Sequence, residues 1–256
     1  MNISIVTAVY NGADTIEKTI NSVAGQSYKN VEHIIVDGDS TDCTMEIVNR
    51  YDDQIAQIIS ERDIGIYDAM NKGIAAAGGE IIGTLNADDI YAYPNVLSKV
   101  AEVLSDPEID ACYADLVYVD RRNMNKIIRY WTSRPFEPGL FHKGWIPAHP
   151  TFFVRKSIYH RYGGFDLEYK IQSDFELALR FLELHRIRTV YVPEIWVKMR
   201  MGGTTNKSIR NIVKGNLESY RACKKHGLKV SPLFFVKKIA TRVPQFFRRP
   251  QGTVNL

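Results

Sequence analysis

Cysteine is scarce in this chain: Cys43, Cys112 and Cys223 are odd in number, far apart and in no CxxC pair. That usage argues against a disulfide framework or a thiolate zinc site and fits a reducing, cytoplasmic setting. No apolar run approaches the roughly 20 residues needed to cross a bilayer. The opening Met1-Asn2-Ile3-Ser4-Ile5-Val6 has no basic residue ahead of its apolar stretch, so it reads as a first strand and not as a secretory leader. Neither sign of charge dominates: the formal net charge is +4, too small for the whole chain to bind nucleic acid by electrostatics. Two phosphate-binding signatures are missing as well. The residues after the first strand, Val9-Tyr10-Asn11-Gly12-Ala13-Asp14, do not spell GxGxxG, and GxxxxGK[ST] occurs nowhere, which argues against a pyrophosphate held by backbone amides alone.

What is present is ordinary globular composition over 256 residues, 45% hydrophobic and 24% charged, enough for one large domain and a tail. Strand-like and helix-like segments alternate from the start. Ile3 to Val9 is β-branched and apolar, Asn11-Gly12 breaks it, and Asp14-Thr15-Ile16-Glu17 has the spacing of a capping box that opens a helix with Ile16, Ile20 and Val23 on one face. A second unit runs from Val31 to Val36, ends at Asp37-Gly38-Asp39, and continues into a helix. A third runs from Ile55 to Ser60 and on through Asp63, and a fourth strand ends at Leu85. Such alternation predicts an α/β fold whose parallel sheet is covered on both faces. Asn11, Asp37, Asp63 and the pair Asp88-Asp89 then share the C-terminal edge of that sheet, where open α/β sheets bind ligands. Turn and cap chemistry also favours Asp, Asn and Gly after strands, but it does not require an acid each time. Adjacent carboxylates suit a hard divalent cation, Mg²⁺ or Mn²⁺, that keeps positions open for phosphate oxygens.

Ser4-Ile5-Val6-Thr7-Ala8-Val9-Tyr10-Asn11-Gly12, Ile35-Val36-Asp37-Gly38-Asp39-Ser40-Thr41-Asp42, Asp63-Ile64-Gly65-Ile66-Tyr67-Asp68-Ala69-Met70-Asn71-Lys72-Gly73 and Asn86-Ala87-Asp88-Asp89 follow one another in an order and spacing that resembles a family-two glycosyltransferase of the GT-A fold, of the bacterial polysaccharide-synthesis type. The resemblance implies a Rossmann-like, mixed, mostly parallel sheet flanked by helices, and a nucleotide-sugar donor, most often a UDP-sugar. By it, Thr7, Tyr10, Asp37 and Asp63 hold uracil and ribose, Asp88 serves ribose, and Asp89 serves the metal of a DXD-type motif. Two departures stand out: Asp-Gly-Asp-Ser replaces the commoner Asp-Asp-Gly-Ser, and Asn86 replaces an acid, so metal binding leans on Asp89.

The second half predicts a helix from Pro94 to Leu104, a hairpin from Ala111 to Val119 and Lys126 to Trp131, and a Pro- and Gly-rich loop whose Phe136, Phe141, His142 and Trp145 either line an acceptor cleft or anchor the loop. Ser173 and Glu176 have capping-box spacing, which places Asp174 in the first turn of a helix, where the dipole favours an acid whatever its task. Tyr162-Gly163-Gly164-Phe165-Asp166 followed by Ser173-Asp174-Phe175-Glu176-Leu177 resembles the acceptor side of the same family, and the resemblance makes Asp174 the general base of an inverting transfer. His149 and Arg200 are further candidates for acceptor or diphosphate contacts, Arg200 at the start of a possible lid, Arg200 to Asn206. No QxxRW occurs, which by the same resemblance implies one sugar per encounter. We expect a catalytic domain over residues 1–206 and a helical, basic and aromatic tail over 207–256, lying either on the protein core or on a membrane surface. The expected partners are the donor sugar nucleotide and a glycan or undecaprenyl-type lipid-linked acceptor at the inner face of the membrane, with no nucleic acid. A metal-dependent nucleotidyltransferase lacks its triphosphate loop here, and an inactive glycan-binding homologue fits poorly with acids kept at 37, 63, 88, 89 and 174.

Overall fold

The run of Ile and Val that opens the chain forms β1 (Ile3–Val9), buried along its whole length, as expected of a strand covered on both faces. It pairs in parallel with β2 (Val31–Asp37), and β2 with β3 (Gln57–Ser60). Helices α1 (Ile16–Ala24), α2 (Thr44–Asn49) and α3 (Ile66–Ala76) make the crossovers. In α1, Ile16, Thr19, Ile20 and Val23 are buried, a spacing that lays one helical face on the sheet. The computed structural model describes residues 1–202, 208–231 and 233–247. Residues 203–206 of the proposed lid, Pro232 and the Arg248-Arg249 pair lie outside them.

On the other side of β1 lies β4 (Ile81–Thr84), also parallel. There the alternation of strand and helix stops and the sheet becomes mixed. After β5 (Ile90–Tyr91), α4 (Val96–Val103), β6 (Ala111–Val119) and β7 (Ile127–Trp131), the three-residue strand β8 (Phe153–Arg155) inserts antiparallel between β4 and β6. Gly83 makes room for it, because a Cβ there would lie 2.4 Å from the ring of Phe153. Beyond α5 (Lys156–Tyr162) and α6 (Ser173–Ala178), β9 (Thr189–Arg200) runs parallel to β6 and pairs antiparallel with β5. The order of the nine strands is β3-β2-β1-β4-β8-β6-β9-β5, with β7 hydrogen-bonded to β6 as the expected hairpin.

Neither expected capping box forms. Glu17 instead accepts from the Tyr51 hydroxyl at 2.6 Å, and Ser173 Oγ donates to the Asp166 carbonyl at 2.9 Å. Glu176 lies between Arg180 (2.9 Å) and His226 (2.7 Å). A guanidinium competes better for a buried carboxylate than a backbone amide does. The loop aromatics face inward: Phe141 is buried, with its ring centroid 5.6 Å from Trp145 and 5.4 Å from Phe175. The C-terminal helices α7 (Ile209–Lys225) and α8 (Phe234–Ala240) join the same core, since Ala222, Cys223, Leu228, Val230 and Phe234 are buried within it.

Candidate active site

The polar residues at the ends of β1, β2, β3 and β4 do converge. Asn11 adopts φ 49°, a left-handed conformation that Asn tolerates better than most residues. From there its amide donates to Ser40 Oγ (2.8 Å) and its side-chain oxygen accepts from the Thr41 amide (2.9 Å), joining the loops after β1 and β2. Gly38 lies beneath the group. A Cβ at this position would come within 2.4 Å of Asp63 Oδ2 and 3.5 Å of Tyr10 Cδ2, so three loops meet at a point with no room for a side chain. Tyr10 is 62% exposed, its ring open to solvent beside that point. Asp37 is fully buried; Oδ2 accepts from the Ser40 amide (3.1 Å) and Ser60 Oγ (2.8 Å), while Oδ1 has no partner.

Thr7 is placed differently. It is buried within β1, and its hydroxyl pairs with His33 Nε2 at 2.9 Å, behind the open edge. Burial holds that imidazole neutral by lowering its pKa to about 3.

The Asn86–Asp89 turn is fixed from behind by α1, whose buried Thr19 hydroxyl lies 2.9 Å from the Ala87 carbonyl and 2.8 Å from that of Asp89. Asp89 is fully buried. Asn86 Nδ2 donates to its Oδ2 at 2.9 Å, and Oδ1 is left with no hydrogen-bond partner. Burial first, and then the charge of Asp88, push the Asp89 carboxyl well above the usual carboxylate range. An orphaned buried carboxylate oxygen beside a second acid fits a divalent cation, though no cluster of three or more His, Cys, Asp or Glu surrounds it among the described residues. Mg²⁺ commonly takes one or two carboxylates and completes its shell with phosphate oxygens and water, so such a sparse set is compatible with it. Arg200 is buried behind this turn: Nε donates to the Asp88 carbonyl and Nη1 to that of Arg121, both at 3.0 Å, and Nη2 lies 2.9 Å from Met124 Sδ. It braces the turn from the far side.

Asp174 reaches the same edge through α3. Tyr67, four residues after Asp63, places its hydroxyl 3.2 Å from Asp174 Oδ1 and 2.9 Å from the Ile171 carbonyl. The Tyr67 ring stacks on Phe165 at 5.2 Å, and Asn71 clamps the Phe165 backbone through two bonds of 2.9 and 2.8 Å. His149 meets the other side of Phe165 edge-on at 5.6 Å and pairs through Nε2 with Thr84 Oγ1 at 3.1 Å. Burial lowers its pKa, with Asp174 opposing. A continuous path of contacts, Thr84–His149–Phe165–Tyr67–Asp174, therefore joins the end of β4 to the acid on α6. Tyr67 lies inside the Asp63–Gly73 motif but had no role assigned within it, and Thr19 had no sequence signal beyond lying on a helix. A hollow of about 620 Å³ beside Met1, Tyr28 and Glu80 lies at the opposite edge of the sheet and gathers none of these groups.

Comparison with known proteins bears on the family and the fold. Residues 4–163 match the Glycosyl transferase family 2 domain. An uncharacterised glycosyltransferase of Mycobacterium tuberculosis is 31% identical over 180 residues, 70% of this chain and 68% of the relative. Among solved structures, truncated S. aureus TarS in complex with UDP superposes with a TM-score of 0.64 at 16% identity, over 96% of this chain and 72% of that one. The chain spans only 44% of a longer TarS structure. A mannosyltransferase from Pyrobaculum calidifontis, in complex with GDP-Man and Mn²⁺, gives a TM-score of 0.64 at 20% identity, over 94% of this chain and 69% of that one. At such identities the likeness establishes the fold, which is GT-A.

Proposed function

Since the chain belongs to glycosyltransferase family 2, we propose that it moves one hexosyl or N-acetylhexosaminyl unit, with inversion, from a nucleotide-diphosphate sugar to a hydroxyl of a glycan or undecaprenyl-type lipid-linked acceptor, as in surface polysaccharide synthesis. UDP is the favoured nucleotide. Tyr10 offers an open ring for the base to stack on. The unpartnered Oδ1 of buried Asp37 is an acceptor in need of a donor, such as a uracil N–H or a ribose hydroxyl. Asp63 and Asp88 flank the ribose, and Thr7 supports the base site from below through His33. Asp88 and Asp89 would hold Mg²⁺ or Mn²⁺, which when bound supplies positive charge against the diphosphate.

Asp174 acts as general base. It removes the proton from the acceptor hydroxyl as that oxygen bonds to the anomeric carbon, while the bond from that carbon to the diphosphate oxygen breaks on the opposite face and the nucleotide diphosphate departs. No second acid has to protonate such a leaving group, unlike the alcohol released in glycoside hydrolysis. Tyr67 keeps the carboxylate turned toward the donor edge. The observation that carries this reading is that single helix, α3, which starts just after Asp63 and bonds Asp174 through Tyr67.

A panel of nucleotide-sugars screened by thermal stabilisation identifies the donor, because a ligand bound only by the folded state raises the melting temperature. With that donor, Asp174→Asn is expected to keep UDP affinity within about twofold and to lose nucleotide release by roughly 10²–10⁴-fold. Release at near wild-type rate would remove Asp174 as the base.

A further inference from the structure

Helix α8 is apolar on two opposite sides. Phe234 and Lys238 are turned into the protein, at 0% and 1% exposure, whereas Leu233 (59%) at the N-cap, Val236 (62%) and Ile239 (55%) within the helix, and Val243 (49%) and Phe247 (82%) in and just after the 3₁₀ turn that follows (Val243–Phe246) are exposed. A surface helix ordinarily keeps its outer face polar, and an apolar stripe of this length marks a contact surface. The stripe continues onto α7 through Tyr220, whose ring stacks on Phe235 at 5.6 Å, to exposed Val213 and Leu217.

Charge tells what the stripe faces. Residues 1–206 carry 21 basic and 28 acidic side chains, whereas residues 207–256 carry 12 basic and a single acid. That acid, Glu218, is itself buried, where it accepts from the amides of Ile171 (2.8 Å) and Gln172 (3.0 Å). Of the basic side chains, Lys238 is buried, Lys225 pairs with Asp166 and Glu168, and Lys207, Arg248 and Arg249 lie outside the described residues; Arg210, Lys214, Arg221, Lys224, Lys229 and Lys237 are exposed, so the described outer surface of the two helices is cationic and apolar, with no exposed carboxylate of its own. Two such surfaces from two copies would repel each other. An anionic bilayer answers both properties, since acidic headgroups attract Lys and Arg while the acyl boundary takes up Val, Ile and Phe. No helix among the described residues is long and apolar enough to cross a membrane, so contact is along the surface.

We propose that the outer face of α8, continued by α7, is a docking surface for an anionic lipid bilayer. The inner side of the same helix reaches the neighbours of the candidate base: Lys238 Nζ donates to Gln172 Oε1 at 2.9 Å and lies 5.0 Å from the Phe175 ring centroid, on either side of Asp174 in sequence. Docking there holds the acceptor side of the site at the interface, where a lipid-linked sugar resides. The inference deepens the lipid-linked reading of the acceptor, but vesicle binding is measured without transfer, so the two can fail separately.

The test is co-sedimentation of the full chain with phosphatidylcholine vesicles, with and without about one-third phosphatidylglycerol. We expect pelleting with the anionic vesicles, weakening as salt rises, and little with phosphatidylcholine alone. Val236→Glu combined with Ile239→Glu is expected to weaken pelleting at least about tenfold. Both side chains are exposed, so an unchanged melting temperature verifies the fold. Failure to pellet with anionic vesicles at low salt, or equal pelleting of the double variant, overturns the proposal. A wild-type dimer in size exclusion that the double variant makes monomeric, without vesicle binding, would assign the face to a second copy instead.

Discussion

At the scale of single residues, Asp89 carries a burial cost that its partners do not offset. A carboxylate that is fully buried, has one oxygen without a partner and lies beside Asp88 is held against its own solvation. Asp89→Asn keeps the shape and removes the charge. The free protein is therefore expected to gain on the order of 1 kcal/mol in urea unfolding. Calorimetry on the wild type should show tighter UDP binding with Mn²⁺ than without, and the variant should lose that difference. A variant that still responds to Mn²⁺ would place the ion elsewhere. Asn86 reads differently after the structure. As a missing acid it weakens the motif in sequence, but its amide donates to Asp89 Oδ2 and sets the angle of the remaining carboxylate.

At the scale of elements, the short helix α6 is held by polar groups that come from far along the chain. Glu218 takes the amides of Ile171 and Gln172, and Lys238 and Ser219 take the Gln172 side chain. The cost falls on Lys238, whose pKa burial lowers to about 7, with Arg242 adding to the effect. Below about pH 7 this ammonium is charged in both folded and unfolded states, so the burial penalty is present in full. Between about 7 and the ordinary 10.5 the unfolded chain binds the extra proton, and wild-type stability rises with pH from this group. Lys238→Met should therefore be stabilised by roughly 1–3 kcal/mol at pH 6, less than the full shift because Gln172 and Ser219 lose a donor. The gain should fade toward pH 10 in urea titrations. If the clamp positions Asp174, the same variant keeps UDP affinity and loses turnover.

The element scale also shows what was legible beforehand. Each of β1 to β4 followed from its β-branched run, and the acids at their ends followed from the geometry of a parallel sheet. The two capping boxes were misread because sequence spacing cannot show that Tyr51, Arg180 and His226 reach Glu17 and Glu176 from a distance. For the same reason the motif around Tyr67 did not reveal its partner, and no pattern marked Thr19. Both act through contacts with residues roughly 70 to 110 positions away, at Ala87, Asp89 and Asp174. A three-residue strand such as β8 has too few residues for any periodicity to declare its direction.

At the scale of the whole molecule, the C-terminal segment shares the main core. Phe234 meets Phe175 at 6.3 Å, one residue from the candidate base. In urea unfolding, Phe234→Ala is expected to cost about 3–5 kcal/mol, against at most about 0.5 kcal/mol for Val236→Ala on the outer face. Equal effects would mean that α8 is not docked. The seam between β4 and β8 has a consequence of its own. By strand pairing, Ile81 with Arg155 and Ile82 with Val154 join the parallel strands β1 to β4 to the half of the sheet that follows. So short a ladder leaves side chains to hold the two halves together, through the Thr84–His149 and Tyr67–Asp174 bonds and the grip of Asn71 on the Phe165 backbone. The family match stops at residue 163, just before the segment that carries Asp174. Truncating Asn71 or Tyr67 would therefore loosen the border between the two halves while leaving every strand pair in place.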